Sequence, residues 1–312
     1  MYFLGIDWGA SIFKIGLVKD SQVLYLETAD SRFFSNPGSL YSFILSFIKK
    51  HTSLRKIRGL GIGCPGVVDV RRGFVYYFPN IKGWKNVPLA RILEGRLKLP
   101  VYVDNDANMV ALGEARFGAG KGFKNLIVIT LGTGLGAGII IEGRLFHSPF
   151  TSGSELGHIT VDYQGKRCGC GSFGCIETFV GNRYLVDYAR SLLKRKPSNI
   201  IKEFLKRDKL SPKLLTQAAL KGCKVSQEIW ERTARILGRF LVGLVNSWGP
   251  EAIVIGGGLS GAGKFLFGPL REEVRRLAMP PQNRYVRILR ARLKEKAGIL
   301  GAKEGLIDYK LG

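Results

Sequence analysis

Twice along this chain a run of β-type residues meets a turn of small residues and resumes as a second β run. The first instance is Gly5-Ile6-Asp7-Trp8-Gly9-Ala10-Ser11 before Ile15 to Val18; the second is Thr130-Leu131-Gly132-Thr133-Gly134-Leu135-Gly136 before Ile139 to Ile141. Two similar hairpins imply two similar lobes, each built on a sheet. The 312-residue length agrees, being more than the roughly 100 to 200 residues of a typical single domain, so a cleft between lobes is expected.

Between and after the hairpins the pattern alternates strands and helices. Strands are predicted at Tyr2 to Asp7, Phe13 to Lys19, Val23 to Glu27 and Ile57 to Ile62, with a helix from Leu40 to Lys50. A strand at Val101 to Val103 precedes a helix from Ala107 to Phe117, and Asp104-Asn105-Asp106 supplies helix-capping residue types at that junction. Thr178 to Ser247 reads as largely helical. There Trp230, Ala234, Leu237, Leu241, Leu244 and Trp248 recur three and four apart and are expected to face a core. Glu251 to Ile255 is a predicted strand entering a glycine turn, and Ala297 to Tyr309 a closing helix. The expected division is a smaller α/β lobe over 1–111, with the helix of 297–312 packing back on it, and a larger α/β lobe over 112–296.

Met1 leads directly into a β run with no basic and apolar leader, and apolar runs such as Leu126 to Leu131 fall well below the ~18 residues that span a bilayer. A soluble, cytoplasmic protein with no membrane partner is expected. The 48 Lys and Arg against 24 Asp and Glu give a formal charge of +24, which attracts polyanions in general. The basic residues are spread through segments read as helical (Arg190, Lys194, Arg195, Lys196; Arg271, Arg275, Arg276, Arg287, Arg290, Arg292) without a nucleic-acid-binding motif. A solvated basic surface is expected rather than a nucleic-acid site.

Glycine turns expose backbone N–H groups to phosphate oxygens. Three occur here, around Gly9, Gly132 and Gly256-Gly257-Gly258, with hydroxyls at Ser11 and Thr133 and a carboxylate at Asp7 able to hold magnesium-bound water. Together they point to a nucleotide site, although no Gly-Lys-Ser/Thr of a P-loop is present. Phosphoryl transfer to an alcohol also needs a carboxylate that accepts the hydroxyl proton. Asn105-Asp106 offers one, but on its position alone Asp106 is a helix cap.

Five cysteines, three of them between Cys168 and Cys175, fit a reducing compartment and a metal site better than a disulfide framework. Cys64 and Cys223 read as plain buried thiols. His158 with Cys168, Cys170 and Cys175 forms a complete tetrahedral zinc set, and a closed four-ligand site holds structure rather than activating water. Such a clip would also fix Glu155 and Glu177 in one region.

Taken with the rest, these residues closely resemble the ROK family (repressors, open reading frames and sugar kinases) of the actin-like and hexokinase-like ATPase superfamily. Cys168 to Glu177 meets its Cys-x-Cys-Gly-x-x-Gly-Cys-x-Glu signature in full, and Ser154-Glu155-Leu156-Gly157-His158 matches its Gly-Glu-x-Gly-His element with Ser first. The resemblance implies a two-lobed actin-like, ribonuclease H-like α/β fold with an interlobe cleft. It implies Asp106 as general base, with Gly66, Asn105, Glu155, His158 and Glu177 around the sugar and His158 also on zinc. It places the phosphates of ATP, with Mg2+, at Asp7, Gly9, Ala10, Ser11 and Ile12 and at Gly132, Thr133, Gly134 and Gly136, and the adenosine near Gly256, Gly257 and Gly258.

One departure is Ile12, where the family's Asp-x-Gly-Gly-Thr-Lys carries a cation; Lys14 is a candidate substitute. Pro79-Asn80-Ile81-Lys82-Gly83-Trp84 resembles a stretch of the family's glucokinases and implies glucose, ahead of N-acetylhexosamine, mannose or fructose. A sugar-binding regulator is the minor alternative, since Asp7 comes too early for a preceding DNA-binding domain, and polyphosphate is the minor alternative donor. A homo-oligomer, dimer or tetramer, is the family habit.

Overall fold

A computed structural model describes residues 1–78, 81, 83–149 and 153–311. Two compact units divide the chain. One comprises Met1–Val128, Gly138–Ser154 and the chain from Arg292 onward; the other comprises Ile129–Ala137 and Glu155–Ala291. The division expected after residue 111 falls inside the helix Asp106–Phe117, which lies wholly in the first unit.

The first unit contains β1 (Tyr2–Trp8), β2 (Ile12–Lys19), β3 (Gln22–Asp30), β4 (Ile57–Cys64), β5 (Val67–Asp69), β6 (Phe74–Tyr77), β7 (Lys85–Val87) and β8 (Val101–Asn105). A five-stranded sheet runs β3-β2-β1-β4-β8, antiparallel through β3, β2 and β1 and parallel through β1, β4 and β8; β5-β6-β7 form a small antiparallel sheet. Side chains alternate across a strand, so β1 presents Leu4, Ile6 and Trp8 to one face, where they join Leu40, Ile44 and Phe47 of the helix Pro37–His51 in a common core. The other face presents Gly5, and Gly61 of β4. Here the helix Ala297–Leu306 approaches so closely that a Cβ at either glycine would overlap the Ile299 or Ala302 carbonyl. Glu114, fully buried on Asp106–Phe117, accepts the backbone N–H groups of Ala119, Arg292 and Leu293 at 2.8 to 3.0 Å, anchoring the start of this returning segment.

A second five-stranded sheet has the order β11-β10-β9-β12-β13, with β9 (Leu126–Leu131), β10 (Leu135–Ile141), β11 (Arg144–Leu145), β12 (Ala252–Gly256) and β13 (Arg287–Arg290). Thr178 to Ser247 is largely helical as predicted, in Asn182–Arg195, Asn199–Leu205, Pro212–Leu220 and Lys224–Trp248. Trp230, Ala234, Leu237, Leu241 and Leu244 are buried, but Trp248 is 46% exposed. Gly249 ends the helix in a left-handed conformation (φ 54°), so the face is interrupted where Trp248 stands. Arg287 and Arg290 lie on β13 and not on a helix. Among the described residues no helix is long and apolar enough to cross a membrane.

Candidate functional site

In the first unit, the parallel pairing of β4 with β8 sets Cys64 beside Asn105, and both strands end there. Asn105 has extended backbone (φ −71°, ψ 146°) and caps the helix Asp106–Phe117, its Oδ1 accepting from the N–H of Ala107 at 2.9 Å. Its Nδ2 donates to the Gly66 carbonyl at 3.4 Å, so Gly66, Asn105 and Asp106 gather at one corner. Gly66 needs to be glycine, since its φ of 86° lies in the left-handed region. Asp106 accepts the Ala107 N–H at 2.8 Å. A cap and a general base are therefore compatible readings of this pair, because a carboxylate has lone pairs for both tasks.

The Gly9–Ile12 turn is closed by the Gly9 N–H to the Ile12 carbonyl at 3.0 Å. Asp7 and Lys14 stand opposite each other in the β1–β2 ladder and form an ion pair. Lys14 is thus Asp7's partner in this structure, while Ile12 is 54% exposed. Sequence reasoning missed Ser31, which is fully buried and holds the turn through its hydroxyl to the Gly9 carbonyl at 2.7 Å and its N–H to the Ser11 carbonyl at 3.1 Å. A serine 20 residues beyond the turn carries no local signal. Pro79, Asn80 and Lys82 of the glucokinase-like stretch lie outside the described residues, and Trp84 is buried against Trp8 at 4.9 Å, a core role.

In the second unit, the hairpin turn between β9 and β10 is closed by Gly132 N–H to the Gly134 carbonyl at 3.0 Å. The Asn182 N–H donates to the Gly132 carbonyl at 3.0 Å, and Glu177 Oε2 accepts the Leu135 N–H at 3.0 Å. Gly257 (φ 80°) packs against Leu131, so the Gly256–Gly258 turn lies beside the end of β9. Two of the three predicted glycine turns are therefore brought together; Gly136 lies beyond the turn, inside β10.

The four side chains expected to ligate a metal come together in the second unit. The four ligand atoms of His158, Cys168, Cys170 and Cys175 lie within 4.8 Å of one another. Cys170 and Cys175 sulfurs are 3.7 Å apart, and Cys168 Sγ is 3.5 Å from His158 Nδ1. A tetrahedron with bonds of about 2.3 Å to sulfur has edges of about 3.8 Å, so the donors fit zinc. Gly174 (φ 60°) passes so near the Asp162 carbonyl that no side chain fits, which lets the loop fold back through its Val161 N–H to Gly174 carbonyl bond at 2.8 Å. Burial, with hydrogen bonds that the Cys175 S–H donates to the two neighbouring sulfurs, pushes the Cys175 thiol up to about 12. A divalent cation is what converts such a set to thiolates.

His158 uses Nδ1 toward Cys168 and turns Nε2 toward Glu155 at 4.0 Å, so one ring addresses both the metal set and the carboxylates. Burial raises the Glu155 carboxyl, with the His158 charge opposing and the Glu177 charge adding; its side chain is 62% exposed, which screens the effect. Glu155, His158, Glu177 and the Gly132–Leu135 turn thus converge, with Gly157 packed on the Leu135 carbonyl. Cys64 and Cys223 are buried thiols, as expected.

The ROK family model matches residues 3–306. A glucokinase of Thermotoga maritima is 35% identical over 311 residues, covering 99% of this chain and 98% of that protein. A ROK family glucokinase from Streptomyces griseus, solved in complex with glucose and AMPPNP, is 34% identical with a TM-score of 0.84, covering 97% of this chain and 98% of that one. A xylose repressor of Caldicellulosiruptor bescii is 34% identical over 306 residues, covering 96% of this chain and 76% of that protein.

Proposed function

This chain belongs to the ROK family, and from that premise we propose that it is an ATP-dependent hexose kinase whose substrate is glucose and whose product is glucose 6-phosphate. The observation that carries the reading is the corner where Asn105 caps the helix and donates to the Gly66 carbonyl, which leaves Asp106 as the first residue of that helix. Support for the sugar comes from the glucokinase relatives, one of them bound to glucose and AMPPNP.

Asp106 takes the proton from the glucose 6-hydroxyl as its oxygen attacks the γ-phosphorus; the O–H bond breaks, the new P–O bond forms, and ADP departs. By the family resemblance, Asn105 and the backbone at Gly66 in the first unit, and Glu155, His158 and Glu177 in the second, are the groups assigned to the sugar hydroxyls. The turns at Gly9–Ile12 and Gly132–Gly134 offer N–H groups to the phosphates, and the Gly256–Gly258 turn lies toward the adenosine. Asp7, paired with Lys14, is the carboxylate that would hold the water of an ATP-bound magnesium ion, which would supply charge neutralisation at the phosphates. His158, Cys168, Cys170 and Cys175 would hold a structural zinc, which would use all four side chains and so keep Glu155 and Glu177 in register. The five free cysteines support a reducing, cytoplasmic setting, and the family habit supports a homo-oligomer.

The test is ADP release with MgATP across glucose, mannose, fructose, N-acetylglucosamine and N-acetylmannosamine. Glucose should give the highest kcat/KM, and Asp106→Asn should lower kcat by about a thousandfold. A folded wild-type chain that turns over none of these sugars would sink the reading, and full turnover by Asp106→Asn would sink the role of Asp106.

A further inference from the structure

Asp104 is a fully buried carboxylate one residue before Asn105 that no step above employs. Four donors converge on it: the Tyr102 hydroxyl at 2.7 Å, Asn108 Nδ2 at 2.9 Å, the Asn105 backbone N–H at 2.6 Å and His147 Nε2 at 2.7 Å. A carboxylate oxygen only accepts, so His147 Nε2 carries a hydrogen. Its other nitrogen, Nδ1, lies 3.0 Å from the Tyr309 hydroxyl, and the Tyr309 ring stacks on Tyr102 with centroids 5.3 Å apart and planes 9° from parallel. The bonded series therefore joins the end of β8, the stretch after β11 and the C-terminal segment.

Burying a carboxylate is unfavourable until its partners offset the lost hydration, and an apolar filling of similar volume would hold such a core as well. What an apolar filling lacks is direction. Asp104 Oδ1 grips the backbone N–H of Asn105 and the side chain of Asn108, that is, both sides of the bend from which Asp106 projects. His147 in turn fixes Oδ2, and it sits eight residues ahead of Glu155 along the chain.

We propose that Asp104 and His147 are positioning residues for the Asp106 base, with Tyr309 holding the His147 ring. The inference rests on the kinase reading. Misplacing a reacting group by about 1 Å costs on the order of a hundredfold in rate. Accordingly, His147→Ala should lower kcat by tenfold or more while leaving the KM for ATP within about twofold. His147→Gln, whose amide can donate to Asp104, should recover most of that loss, and Tyr309→Phe should lower kcat about threefold.

Each variant is assayed beside its melting temperature and its affinity for glucose by calorimetry. A folded His147→Ala enzyme with wild-type kcat overturns the proposal, as does a His147→Gln enzyme no better than His147→Ala. If His147→Ala does not fold, Tyr309→Phe carries the test, and wild-type kcat there overturns the proposal equally. A wild-type chain that neither binds nor phosphorylates any hexose fails earlier, at the kinase reading, and takes the inference with it; an active wild type with unaffected variants fails at the inference alone.

Discussion

Glu273 shows how one side chain ties stability in the second unit to pH. It is fully buried, with Arg235, Arg239 and Arg276 at 2.6, 3.3 and 3.1 Å. Burial works against its charged form, but the hydrogen bonds from the three guanidiniums outweigh it and hold the carboxyl below its ordinary 4.5. A depressed folded value means that the stabilisation is fully present above 4.5 and is lost as the pH falls through the lower, folded value. The arginines stay 39%, 68% and 56% exposed, so solvent discounts the pair, and we expect Glu273→Gln to cost about 2 kcal/mol at pH 7. Urea unfolding at pH 7 and again near pH 3 should show the gap to wild type shrinking in acid. A gap that grows would reverse the sign of the argument. At Glu177 the expectation is catalytic. Replacing it with Ala strips the Leu135 N–H of its acceptor in the Gly132–Leu135 turn, and kcat/KM should fall about a hundredfold with little change in melting temperature.

At the scale of elements, two pieces are held by close approach. The helix Ala297–Leu306 packs on Asp106–Phe117 through Gly301, where any Cβ would overlap the Met109 carbonyl. Gly301→Val should therefore destabilise by about 3 kcal/mol or more, read as a lower urea midpoint. Such a substitution loosens the very helix that begins with Asp106, so activity should fall before global unfolding. The metal loop is the second piece. Cys170→Ser should lower bound zinc from about one per chain to near none by atomic absorption, and raise the KM for glucose at least tenfold while the KM for ATP changes less. Unchanged sugar KM in a zinc-free variant would show that the loop holds Glu155 and Glu177 without metal.

For the whole molecule, the formal charge of +24 is the dominant long-range property. It predicts a weak, non-specific attraction of polyanions such as polyphosphate, and anisotropy titrations should lose that attraction steeply between about 50 and 200 mM salt. The kcat for glucose should stay level over the same range, because the exchange of protons and phosphate is short-ranged. Salt-resistant, sequence-selective binding would instead favour the repressor side of the family.

Much of this was legible from residue order alone. The paired hairpins, the strand-to-helix junction at Asn105-Asp106 and the metal quartet are local patterns, because backbone periodicity, capping chemistry and ligand spacing act over a few neighbours. The departure at Ile12 was equally plain, yet that Lys14 pairs with Asp7 came from strand register, which fixes who stands opposite whom. Ser31 behind the Gly9 turn, the junction of Gly257 with Leu131, and the Asp104–His147–Tyr309 series join residues between 20 and 200 positions apart. No local propensity encodes such pairs. They arise only when packing of the sheets and helices brings distant polar groups out of water together and requires each to find a partner.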